Sequence, residues 1–173
     1  MRERQNVAGR REAGVAAIEF ALVLPILVLV FFGLVTFGSA LYTQMVVSRA
    51  AEDGVRAVSF LTSASSYANV PESVKTAVKT EVINSLANST IAAGASNGSY
   101  AARQTWLQNN VLPQIVVDNG NCGGTATATN TLRVNVRFPY SSARILPSID
   151  LPPFGSFSSW MPTTLTGCAM LQL

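Results

Sequence analysis

From Phe20 to Ser48 the chain reads FALVLPILVLVFFGLVTFGSALYTQMVVS, 29 residues without a formal charge. Between Phe20 and Phe37, Leu, Val, Ile and Phe recur on every side of a helix, leaving no polar face. A helix crosses about 30 Å of hydrocarbon with roughly 20 apolar residues, so the stretch predicts a membrane span. We place it over about 20–44. Beyond it the spacing persists: Val46, Val47, Ala50, Ala51, Val55, Val58 and Leu61 keep a helical period, with Arg49, Glu52, Asp53 and Arg56 between them. This predicts one continuous helix from about Val15 to about Leu61, roughly 70 Å long at 1.5 Å per residue. Its outer half is amphipathic and should pack the Val/Ala stripe against the rest of the chain.

After the Ser-rich break Thr62–Ser66, the pattern predicts an α+β head over 62–173, with one or two helices and a small antiparallel sheet. Pro71-Glu72 opens a helix over about 71–87, since proline presets φ and an early acid suits the dipole. Its apolar face is Val74, Ala77, Val78, Val82, Ser85 and Leu86. Residues 88–99 are polar and turn-rich, so they read as loop. A second helix fits Tyr100–Asn110, turning Trp106, Leu107 and Val111 inward. From Leu112 the period becomes that of strands: Ile115-Val116-Val117 up to the turn Asp118–Asn121, then Thr125–Phe138. There Val134, Val136 and Phe138 alternate with Arg133, Asn135 and Arg137. A proline-punctuated loop carrying Phe154, Phe157 and Trp160 precedes a closing strand over about Thr164–Leu173.

Charge orients the span. Arg2, Arg4, Arg10 and Arg11 precede it, and only Arg49 and Arg56 follow closely. Basic flanks stay cytoplasmic, which predicts a cytoplasmic N-terminus and an extracytoplasmic head. A secretory signal peptide also begins basic, but its apolar core has only about 7–15 residues. Gly38-Ser39-Ala40 imitates a signal-peptidase site, yet apolar residues continue past it, and a retained span fits better. Within the span Pro25 predicts a kink, which membrane helices tolerate. Gly33, Thr36 and Ala40 share a side and would admit a close helix, although membrane helices are commonly rich in such residues.

Glu19 stands at the mouth of the apolar run, where a buried charge costs on the order of 2–3 kcal/mol. Either it lies at headgroup level or it has a partner. Five residues earlier is Gly14, then Val15-Ala16-Ala17-Ile18, Glu19 and Phe20. This Gly-x4-Glu-Phe run, behind a basic leader and before an apolar span with Pro25, resembles the prepilin-peptidase site of Flp-type pilins. Over Gly14–Arg56 the chain closely resembles the TadE-like pseudopilins of the tight-adherence (Flp) pilus system. The resemblance implies a leader over 1–14, a cut between Gly14 and Val15, and a bacterial inner-membrane protein. It also implies prepilin peptidase, other pilins and the inner-membrane assembly machinery as partners, besides the bilayer. Gly14 adds no side-chain bulk beside the bond. Cleavage would leave the Val15 amine one turn from the Glu19 carboxylate, and such opposite charges lower the cost of burying either. In the family the Glu is held to set subunit register.

Cys122 and Cys168 are the only cysteines, 46 residues apart. A periplasmic head would hold them as a disulfide; two free thiols or a metal pair is the weaker alternative, because the chain has no His. Without His there is no Ser-His or Cys-His pair and no His-based metal site, so we expect no catalytic residues, metal or other cofactor. The formal charge of +3 falls to +1 once Met1–Gly14 is removed, before counting the new amine, and nucleic-acid binding is unsupported. Two functions remain: a processed minor pseudopilin in assembly of a tight-adherence pilus, or a plain single-pass anchor whose periplasmic head binds another partner. The first needs both Gly14 and Glu19; the second needs neither.

Overall fold

Nothing in the sequence of the first fourteen residues breaks a helix. It has no proline, and its two glycines each cost only about 1 kcal/mol relative to alanine. In the computed structural model, which describes residues 3–61, 70–91, 98–123, 131–143, 150–151, 155–156 and 161–172, the first helix, α1, runs Glu3–Leu61. The start expected near Val15 is therefore at Glu3, and the helix continues through Pro25. The chain divides into two compact units, Met1–Gly38 and Ser39–Leu173.

In the first unit the described side chains are largely bare: Ile18, Leu22 and Leu34 are each 69% exposed. Among the described residues, α1 over Gly14–Ser59 is the one helix long and apolar enough to cross a membrane. It fits a single-pass membrane anchor.

The second unit builds its core on the outer part of α1. Val47, Ala50, Ala51, Val55 and Val58 are buried, as their spacing requires, and Ala40, Thr43 and Gly54 join them. Gly54 marks the crossing of α2 (Glu72–Asn88). A β-carbon there would meet Val82 Cγ2 at 2.5 Å and Val78 Cγ1 at 3.3 Å. Helix α2 buries Val74, Val78, Val82 and Leu86 as expected, and also Ile83 and Ala87. Pro71 is its extended N-cap, and Lys75 pairs with the first-turn Glu72 at 2.6 Å. That hydrogen bond holds the exposed Glu72 carboxyl below its ordinary value of 4.5.

Helix α3 (Tyr100–Asn110) is capped by the Ser99 hydroxyl, which accepts from the Ala102 amide at 3.2 Å. It buries Leu107 and sets Trp106 against Phe138, with ring centroids 6.0 Å apart. Its Arg103 Nε donates to the Ala87 carbonyl at 3.0 Å, satisfying an acceptor in the last turn of α2 that has no partner within that helix.

A 3-10 turn over Leu112–Gln114 leads into β1 (Ile115–Asp118). This strand pairs antiparallel with β2 (Thr131–Phe138), which pairs antiparallel with β5 (Leu165–Gln172). Leu132, Val134, Val136 and Phe138 face the core, and Arg133, Asn135 and Arg137 alternate outward. Within the stretch expected to be pure loop, β3 (Asp150–Leu151) and β4 (Gly155–Ser156) form a two-residue ladder. The Ser-rich break, residues 92–97, the first residues of the expected 125–138 strand, and Pro147, Phe154, Phe157 and Trp160 lie outside the described residues.

Candidate functional site

Gly14, Val15, Glu19 and Phe20 all lie on α1 and all are exposed. Val15 and Glu19 are four residues apart, so they share a face with about 6 Å of rise between them. A β-carbon on Gly14 would find nothing within 4 Å. The helix thus presents the Gly14–Val15 bond and the Glu19 carboxylate on one short, open segment. The bond is helical, whereas a peptidase needs an extended one, so a cut there would require local unwinding of α1. Gly14 makes that opening easier, since glycine disfavours a helix by about 1 kcal/mol.

The cysteines meet. Cys122, just after β1, is bonded to Cys168 of β5, with their Cα atoms 5.9 Å apart. The Cys122 amide also donates to Met170 Sδ at 3.0 Å. Arg133 holds the same turn: Nε and Nη2 reach the two carboxylate oxygens of Asp118 at 2.8 and 2.6 Å, and Nη1 donates to the Asn121 carbonyl at 3.1 Å. The bond to Asp118 raises the Arg133 guanidinium above its ordinary value. Arg133 was legible only as an outward strand residue. Its clamp role depends on the turn folding back beneath it.

Where α1 leaves the apolar run, the second unit has an open cleft of about 470 Å³ bordered by Arg49, Asp53 and Glu81. Ser85, which also lines it, donates to Asp53 Oδ2 at 2.7 Å. Gln44 Nε2 donates to the Thr166 carbonyl of β5 at 2.8 Å, and Ser39 Oγ lies 3.4 Å from the Tyr140 hydroxyl. Among the described residues no three His, Cys, Asp or Glu side chains gather as a metal site would need.

No curated protein and no solved structure matches the chain. Residues 14–56 match the model of the TadE-like protein family, so the segment that carries Gly14, Val15, Glu19, Phe20 and most of the buried α1 stripe is TadE-like.

Proposed function

We propose that this protein is a minor pseudopilin that acts in assembly of a tight-adherence pilus, as a structural part and not as an enzyme. A prepilin peptidase cuts it between Gly14 and Val15 at the cytoplasmic face of the bacterial inner membrane. The head stands on the periplasmic side, where its disulfide persists. The new Val15 amine and Glu19 carboxylate then neutralise one another, within a subunit or between neighbouring pilins.

One observation carries this reading: the TadE-like match opens at Gly14, the residue before the cut, and takes in Glu19 on an exposed helix. A plain anchor has no use for either residue. The test is the mature N-terminus in cells with an active prepilin peptidase, read by mass spectrometry. It should be Val15, and Gly14→Val should abolish the cut. Chains that retain Met1 or Arg2 in those cells overturn the reading.

A further inference from the structure

The cleft between α1 and α2 lies wholly within the second unit, and its charges are not spent on one another. Arg49 and Asp53 are four residues apart on α1, a spacing at which opposite charges on a helix can pair. Here they stay apart. Asp53 Oδ2 accepts from the Ser85 hydroxyl of α2 at 2.7 Å. Among the described residues the Arg49 guanidinium holds neither a hydrogen bond nor an ion pair. On the facing helix the exposed Glu81 carboxylate is equally unengaged. Elsewhere in the head opposite charges do meet, Lys75 with Glu72 and Arg133 with Asp118, each pair at 2.6 Å.

The lining thus sets one cation and two carboxylates around about 470 Å³, a volume within the range of small-ligand sites. A neighbouring cleft of about 600 Å³ along α1 shares Arg49 and Asp53 and adds Glu52 and Arg56, one charge of each sign. The balance is therefore not altered from that side. A purely anionic ligand would meet Asp53 and Glu81, and a purely cationic one would meet Arg49. A neutral ligand would take water from ions of both signs and return no charge. A ligand that carries both signs on one short chain answers all three groups.

We propose that this cleft binds a zwitterionic group, an acid and a primary ammonium on one short chain. Arg49 takes the acid, because its planar fork of donors matches a carboxylate or a phosphate. Glu81 and Asp53 take the ammonium, whose three donors can serve two carboxylates at once. Ser85 leaves Asp53 Oδ1 open for that contact. Two sources share the chemistry: the free end of an amino acid or peptide, and phosphoethanolamine.

Ligand titration followed by NMR tests it on the full chain in an uncharged maltoside detergent. Diaminopimelic acid probes the amino-acid source and glycerophosphoethanolamine the other. Pimelic acid lacks the ammonium groups of diaminopimelic acid, and cadaverine lacks its acids. At least one zwitterion should bind, which identifies the source, with pimelic acid and cadaverine weaker by about tenfold or more. Arg49→Gln and Glu81→Gln, both at exposed positions, should each weaken that zwitterion by about tenfold. Glu52→Gln, in the neighbouring cleft, should leave it unchanged. An intact disulfide checks folding in every variant. Pimelic acid or cadaverine binding as tightly as the zwitterion would overturn the proposal. So would the absence of binding by both zwitterions, or binding that neither Arg49→Gln nor Glu81→Gln weakens. A loss at Glu52→Gln equal to that at Glu81→Gln would also overturn it, since the site would not be this cleft.

Discussion

A β-carbon on Gly167 would lie 2.6 Å from the Val47 carbonyl oxygen and 2.9 Å from the Ser48 amide nitrogen, both backbone atoms of α1. Backbone inside a packed helix cannot give way, so Gly167→Ala should cost about 1–3 kcal/mol, as overpacking does. Gly54→Ala also clashes, but against side chains, and gains about 1 kcal/mol of helix propensity. Thermal unfolding of both variants should therefore rank Gly167→Ala as the less stable. At Glu72 the expected change is one of titration. Its carboxyl is held low by Lys75, so Lys75→Gln should raise its NMR titration midpoint toward 4.5. The small stability this contact adds is present above pH 4.5 and fades as pH falls through the lowered midpoint, because a depressed carboxylate favours the folded state only while ionised. At Glu19 the prediction concerns assembly. Glu19→Gln should still be cut, since Gly14 and the basic leader remain, but surface filaments should be lost. Glu19→Asp should fall between. Normal filaments from the Gln variant would make Glu19 an interfacial residue only.

The Arg103 guanidinium of α3 ties that helix to the end of α2. Arg103 closes the last turn of α2 through Ala87 and reaches the Gly98 carbonyl at 2.7 Å. Arg103→Ala should lower stability by about 1–3 kcal/mol, since the carbonyl of the buried Ala87 loses its donor; urea unfolding measures it. The composition of these elements explains what was legible in the sequence. The α1 stripe, the α2 face and the β2 alternation were readable because burial on one side repeats at the period of the backbone. Ala40 and Thr43 were not, because inside an apolar run the signature of lipid contact and that of protein core are the same. Gly54 and Gly167 were silent because a missing side chain sets no pattern. The roles of Arg103 and Arg133 need partners that only the fold brings near. Strands β3 and β4 are too short to alternate. As for the candidate site, Glu19 stood out as a charge against lipid, but Gly14 acquired meaning only through its family resemblance, and nothing in the leader's composition announced that the bond beside it would be helical.

The molecule is stapled late in its sequence. The Cys122–Cys168 bond closes a 46-residue separation, which the chain-entropy model values at about 4 kcal/mol. Replacing both cysteines with serine should cost about 2–4 kcal/mol, or some 8–16 °C in Tm at about 4 °C per kcal/mol. Differential scanning of the full chain in detergent should show this, and an unchanged Tm would mean that the sheet holds without the staple. The seating of β5 on α1 also sets a timetable. Gln44 and Thr166, which meet at 2.8 Å, are separated by 122 positions. At about 5–20 residues per second, ribosomal synthesis delivers the last strand several seconds or more after α1 has emerged. Throughout that interval part of the surface that Gly167 will cover stays open, and the sheet lacks one of its three strands. The head is thus a latch that closes only once β5 has been made, which makes a nascent chain stalled before β5 a ready target for proteases.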